Sequence, residues 1–252
     1  MKNFAEQIKK LLNFELNISY YDSLESTNKT AKEKAKVDNC DGVVFAKGQT
    51  NGRGRMDRSF YSPKNSGIYM SIYLHPNISV NKLTNLTALA SVAVIKAIKK
   101  LYKNLSPKIK WINDIYIENK KICGILTESS FNINKTFVVV GIGVNLFKSD
   151  NIPENIKDIM GFIEDWKVNE TKVVKLSAEI LNEFFDLYYN KKDYFTDYYN
   201  HSLVLGKEIT VISKDKSYIA KAIDIDKDFH LIVEHNNKKE TLFSGEISIR
   251  LE

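Results

Sequence analysis

At 252 residues, 43% of them hydrophobic and 27% charged, the chain has room for one large domain, or for a large and a small one, around an ordinary core. Its two cysteines, Cys40 and Cys123, are too few for a disulfide framework and lie in no Cys/His pattern with zinc spacing, which points to a reducing cytoplasm; no apolar run of about 18 residues marks a membrane span, and the lysine-rich start with Glu6 lacks the apolar core of a secretory signal. The net charge of +6 reads either as an anionic partner or as lysines spread over a surface, and they are spread, except in the segment from Lys47 to Arg58.

Phe4, Ile8, Leu11 and Leu12 recur at helical spacing and predict a short amphipathic helix over 4–12. Ser26 and Thr27 precede a stretch rich in Lys, Glu and Ala, which reads as a helix start with hydroxyl caps. A β-branched run over 43–47 is a strand, and the polar residues 47–65, with Gly48, Gly52, Gly54 and Pro63, form a long loop. Residues 68–74 are almost continuously apolar, as in a strand buried on both faces. Leu83, Leu86, Ala90, Val94, Ala97, Ile98 and Leu101 mark a long core helix. Strands are expected over 108–112, 115–118, 121–128 and 137–144, with Asn119-Lys120 as a two-residue hairpin turn. Helical spacing returns over 171–189 and again around 194–199. After Ser202, strands over 209–212, 218–225, 229–233 and 240–249 join at turns Lys214-Asp215, Lys227-Asp228 and Asn236-Asn237, which reads as a small barrel-like domain.

Three segments carry chemistry. In Gly52-Arg53-Gly54-Arg55 the glycines let the backbone approach a ligand, and each arginine offers a planar fork for phosphate or carboxylate. The same four residues also fit a solvated surface loop or a nucleic-acid contact of the Arg-Gly type, although such contacts come in longer repeats with aromatics. In the second segment, Lys110-Trp111-Ile112-Asn113-Asp114 leads to Lys121-Ile122-Cys123-Gly124-Ile125-Leu126. Lys121 and Cys123 share a side by the two-residue period of a strand. Lys121 is either a lysine reaching out from an apolar strand or a functional cation, and Cys123 is a small core filler. Gly141-Ile142-Gly143-Val144-Asn145 is a buried strand broken by glycines, either a bulged core strand or the floor of a pocket.

Taken with Ser26-Thr27-Asn28, these motifs stand in the order and spacing of the biotin–protein ligases, and from about residue 20 to 252 the chain resembles that family. The resemblance implies an α+β fold, a mixed sheet flanked by helices and shared with class II aminoacyl-tRNA synthetases. A small SH3-like β-barrel would follow, ending Ser244-Gly245-Glu246-Ile247-Ser248-Ile249-Arg250, with units at 1–201 and 202–252. It implies two substrates, ATP and biotin, with Mg2+. Biotin would meet Ser26, Thr27, Asn28, Gln49, Arg53, Gly54, Arg55 and Lys121. ATP would meet Arg53, Arg55, Asp114, Lys121 and Asn145, with Lys121 and Arg55 as the catalytic pair. The partner would be a biotin carboxyl carrier protein, a subunit of acetyl-CoA carboxylase, and family members occur as monomers and homodimers. The loop is expected to be mobile without ligand.

The chain departs from the family pattern at Asp57 (usually glycine), Phe60 (tryptophan), Ile112 (proline) and near Phe229, where a turn glycine is replaced. Phe60 keeps an apolar ring and is expected to keep its packing. About nineteen residues precede Tyr20 with a pattern for one helix, whereas a DNA-reading unit needs two helices and a turn, so sequence-specific DNA binding is not expected. The nearest alternative is a lipoate or octanoate ligase on the same fold. Its ligand lacks a ureido ring, and the polar set Ser26, Thr27, Asn28 and Gln49 favours that ring. A basic nucleic-acid-binding module is the rival from another class.

Overall fold

The computed structural model describes residues 2–76, 83–131, 136–165, 168–212, 217–243 and 246–249. In chain order the first unit contains α1 (Lys2–Lys9), β1 (Asn17–Tyr21), α2 (Thr27–Val37), β2 (Gly42–Ala46), β3 (Gly67–Leu74), α3 (Leu83–Leu101), β4 (Lys108–Lys110), β5 (Asp114–Ile117), β6 (Lys120–Phe131), β7 (Thr136–Asn145), α4 (Glu154–Lys157), α5 (Glu170–Tyr189) and α6 (Phe195–Asn200). Its seven strands form one sheet in the order β1-β2-β3-β7-β6-β5-β4. β1 and β2 pair in parallel, with α2 as their crossover, and the other pairs are antiparallel.

The two faces of this sheet are covered differently. On one face lie α3 and α5, packed on each other and on the strands. Their stripes, Val92, Ile95 and Ile98 on α3 and Leu181, Phe184 and Phe185 on α5, are buried against Met70, Ile72, Ile125 and Ile142. Fully burying each such side chain stabilises by about 1.5–3 kcal/mol. On the other face α2 covers a smaller cluster of Ala31, Ala35, Val44, Tyr73, Phe137 and Val139. β3 is buried along all eight residues, as its apolar run predicts, because both faces are covered.

The second sheet is antiparallel: β8 (Glu208–Ile212), β9 (Ser217–Ile225), β10 (Leu231–His235), β11 (Lys238–Leu242) and β12 (Glu246–Ile249), in the order β11-β10-β9-β8-β12. Five strands replace the four expected. The run over 240–249 divides after Leu242, and its second half leaves β10 to pair with β8. Lys214-Asp215 and, in the terminal motif, Ser244, Gly245 and Arg250 lie outside the described residues. The segment that connects the two sheets is tied to β4, where Ile109 N–H donates to His201 O and Leu203 N–H to Ile109 O, each at 2.7 Å. The first unit meets the second where Trp111 Nε1, just after β4, donates to Phe229 O, just before β10, at 2.9 Å. Phe229 is a core residue, stacked on Tyr194 with ring centroids 5.3 Å apart, at a φ of +64°. It precedes β10 rather than opening it. A left-handed backbone at a residue with a Cβ costs on the order of 1–2 kcal/mol, here offset by the buried ring.

Two local expectations need correction. The β5–β6 turn is Glu118-Asn119, not Asn119-Lys120: both residues have positive φ, +48° and +64°, and Ile117 pairs with Lys120. Asn236-Asn237, at +52° and +58°, is the turn expected there. Ser26 occupies the N-cap of α2, but its hydroxyl makes no cap bond. Instead the side-chain oxygen of Gln49 accepts from Thr27 N–H at 2.8 Å, so the helix start is satisfied from the loop. β1 and the single turn α4 have no counterpart in the sequence reading: Asn-Ile-Ser-Tyr-Tyr is too short and too polar to declare a strand.

Candidate active site

The cleft lies on the α2 face, where β6 and β7 lose their side chains. Gly124 and Gly143 are cross-strand partners, and Gly141 opposes Leu126. The Phe60 ring lies on this bare patch: a methyl group at Gly143 would stand 2.4 Å from it and one at Gly124 3.0 Å. At Gly141 a methyl would stand 2.1 Å from Asn28 Oδ1. Glycine is required here because other groups occupy the space a Cβ would take.

A β-bulge delivers the lysine. Ile115 pairs with Cys123 but Tyr116 with Lys121, so Ile122 is the extra residue and the alternation breaks. Cys123 faces the core, fully buried, and burial pushes its thiol pKa up, which fits an inert filler. Lys121 turns to the other face, beside Gly124, whose Cβ would lie 3.4 Å from Lys121 Nζ. The expectation that Lys121 and Cys123 share a side fails for this reason. On its outer edge Lys121 is gripped by a further segment: its N–H donates to Ile159 O at 2.7 Å, and its carbonyl accepts from Gly161 N–H at 2.8 Å.

The loop after β2 folds over the cleft as a tight hairpin. Phe60 N–H donates to Gly52 O, Gly54 N–H to Arg58 O and Arg58 N–H to Arg55 O, at 2.7, 2.7 and 3.2 Å. Met56 and Asp57 take positive φ, +53° and +57°, at its tip. Aspartate tolerates this conformation better than most residues, which explains how Asp57 substitutes for a glycine. Arg55 reaches back into the cleft and donates through Nη1 to Asn113 Oδ1 at 3.0 Å. Asn113 Nδ2 in turn donates to Asp114 Oδ1 at 3.0 Å and Ile125 O at 2.9 Å. Asp114 Oδ2 is 2.8 Å from Lys121 Nζ. Arg55, Asn113, Asp114 and Lys121 thus form one chain of contacts around the cleft.

The opposite wall is polar and fixed. Thr27 donates through N–H and Oγ1 to Gln49 Oε1, Gln49 Nε2 donates to Ser62 Oγ, and Ser62 Oγ donates to Phe60 O, at 2.8, 3.0, 2.8 and 2.9 Å. Ser71, a buried hydroxyl in the apolar strand β3, lies 2.8 Å from Thr27 Oγ1 and 2.6 Å from Asn28 Oδ1.

Residues 20–145 match the family model described as the biotin/lipoate A/B protein ligase family. The bifunctional ligase/repressor BirA of Bacillus subtilis is 32% identical over 244 residues, which cover 92% of this chain and 74% of that protein. The chain belongs to the biotin/lipoate A/B protein ligase family. Its fold superposes on the biotin protein ligase from Aquifex aeolicus solved in complex with biotin and ATP, with a TM-score of 0.76 and 26% identity over 94% of this chain and 99% of that one. The human biotin–protein ligase is 31% identical over 114 residues, 43% of this chain and 16% of that protein.

Of the residues singled out from the sequence in this family member, Ser26, Thr27, Asn28, Gln49, Arg53, Gly54, Arg55 and Lys121 line one cleft. Asp114 and Asn145 do not line it. Asp114 stands behind Lys121 as its counter-ion. Asn145, 4% exposed, donates through Nδ2 to Lys121 O at 3.3 Å, while its Oδ1 is buried with no hydrogen-bond partner among the described residues. Asn113 and Phe60 line the cleft although neither stood among the expected site residues. Asn113 precedes Asp114 in the quoted motif, and the motif was the available signal. Among the described residues no three His, Cys, Asp or Glu side chains gather as metal ligands, and no helix is long and apolar enough to cross a membrane.

Proposed function

We propose that the chain is an ATP-dependent biotin–protein ligase that forms biotinyl-5'-AMP and then biotinylates a lysine of a biotin carboxyl carrier protein. Residues 1–201 carry the chemistry and 202–252 form the appended barrel. The observation that carries the reading is that Arg55 and Lys121, from elements far apart in sequence, line the same cleft as the polar wall of Ser26, Thr27, Asn28 and Gln49. The relatives support biotin over lipoate: the human one is named a biotin–protein ligase, and the Aquifex aeolicus enzyme was solved in complex with biotin and ATP.

In the first step a biotin carboxylate oxygen attacks the α-phosphorus of ATP, the bond to the β-phosphate oxygen breaks and pyrophosphate leaves. Two unit charges 4 Å apart repel by about 4 kcal/mol at an effective dielectric near 20, a penalty of roughly a thousandfold in rate. Arg53, Arg55 and Lys121 oppose it, and they are most effective on the charge that crowds the transition state. A carboxylate is already a nucleophile, so this step needs no general base. In the second step the neutral amine of the carrier lysine attacks the acyl carbon, the anhydride bond breaks, AMP leaves and a proton is released. The acyl adenylate is hydrolysed by water, which gives the arginine loop its second task as a cover.

The described residues do not build a resident magnesium cage. Asp114 is the carboxylate at this corner, and its oxygens are committed to Lys121 and Asn113. Any magnesium would arrive on the nucleotide phosphates, and no step is assigned to a protein-held metal. Asn145 offers one unpartnered carbonyl oxygen beside Lys121, suited to an amino donor of the nucleotide. The experiment is ATP-dependent pyrophosphate release with biotin and with lipoate. Release with biotin supports the reading, and release with lipoate alone replaces it with lipoate ligation.

A further inference from the structure

Glu128 lies at the far end of β6 on the cleft face, two and four residues beyond Leu126 and Gly124, and the chemistry above makes no use of it. Its side chain is 18% exposed and receives three partners from two other elements. Lys32 Nζ of α2 lies 2.6 Å from Oε1, Asn28 Nδ2 of α2 donates to Oε2 at 2.8 Å, and Arg53 Nη1 of the loop lies 3.6 Å from Oε1. Burial alone would raise the carboxyl pKa. The bonds from Lys32 and Asn28 and the charges of Lys32 and Arg53 overcome that and leave it below its ordinary value, so the group is an anion at neutral pH.

The same carboxylate thus fixes two parts of the pocket. Asn28 cannot turn, because Nδ2 is held by Glu128 and by Leu126 O at 3.3 Å, while Oδ1 is 2.6 Å from Ser71 Oγ. Arg53 lies on the first arm of the hairpin, two residues before Arg55, and its side chain is 47% exposed. A partly exposed pair of this kind is weak, of the size that holds a cover closed yet lets it open.

We propose that Glu128 is a positioning residue that latches the arginine loop over the acyl adenylate through Arg53. The proposal rests on the ligase reading. It places the latch at the end of the cleft away from Asp114 and Lys121, so retention of the intermediate can change while its formation is spared.

The test uses the full chain with ATP and labelled biotin, and follows both pyrophosphate release and loss of biotinyl-AMP from the protein without carrier. Glu128→Gln keeps the shape and one acceptor but removes the charge. It should speed loss of the adenylate by about threefold, the size expected of a half-exposed ion pair, and leave the first turnover of pyrophosphate release unchanged. Glu25, whose carboxyl feels Arg53 from an exposed position, is the control, and Glu25→Gln should leave retention as in the wild type. In an Arg53→Gln background, Glu128→Gln should add nothing further. An equal effect in both backgrounds, or an unchanged loss rate, overturns the latch. A slower first turnover that matches a fall in melting temperature makes Glu128 merely structural and also overturns it. Failure of the wild type to release pyrophosphate with biotin refutes the ligase reading itself, so the two failures are distinguishable.

Discussion

The two faces of β6 show how one strand serves stability and chemistry at once. Toward α3, Cys123 and Ile125 are buried in the main core, and Thr127 Oγ1 meets Thr87 Oγ1 of α3 at 2.7 Å. Toward the cleft stand Lys121, the bare Gly124 and the anion Glu128. The first face has no space to spare and few charges. On the second, glycines keep space clear and charges stand in pairs that a ligand could exchange for its own. Damage to the first face should therefore appear as lost stability, and damage to the second as lost chemistry.

The largest effect is expected on the apolar face. Phe184→Ala removes a fully buried ring from α5 and should cost about 3–5 kcal/mol of stability, visible as a lower melting temperature. Turnover per folded molecule should persist. Lys121→Ala should do the reverse: pyrophosphate release falls by roughly a hundred- to a thousandfold while the melting temperature moves little. Normal release in that variant would dissolve the distinction between the faces. Arg55→Gly deletes a charged donor to the cleft and should shorten retention of biotinyl-AMP by roughly tenfold. An intermediate held as long as in the wild type would mean that the loop is no cover. Biotin plus ATP should also protect the segment from Arg53 to Arg58 from proteolysis. Gly143→Ala drives a methyl group into the Phe60 ring and should raise the KM for biotin several-fold, with partial recovery when Phe60→Ala is added. The smallest effect is on pH. Glu128 titrates below the ordinary glutamate value of 4.5 in the fold, so its stabilising contribution is present above that value and is lost as pH falls through the folded pKa. Acid titration of the melting temperature should show a shallower loss for Glu128→Gln than for the wild type.

Much of the fold was legible because its periodicities are strong. The apolar stripe of α3, the continuous run of β3 and the glycine-broken run of β7 each declare their element. What stayed hidden depends on partners distant in sequence. Gln49 caps α2 from a loop 22 residues away, so the Ser-Thr start looked self-capping. The bulge at Ile122 exists only in the pairing with β5, and without it strand alternation places Lys121 on the wrong face. Asp114 and Asn145 are named by their motifs, but that both contact Lys121, one through its ammonium and one through its carbonyl, depends on the pairing of strands and is not legible in the motifs. Phe229 looked like a strand residue because its ring is apolar, whereas its backbone is a turn held by Tyr194 and Tyr198.

The central claim is that a guanidinium from the loop and an ammonium from β6 act on one ligand across a glycine floor. The most direct measurement is a crystal structure of this chain with biotinyl-5'-AMP. The account predicts that Arg55 and Lys121 each leave Asn113 and Asp114, or share them, to lie within hydrogen-bond distance of the same phosphate or acyl oxygen. An adenylate contacted by one of the two, with the other still turned to its protein partner, would contradict it.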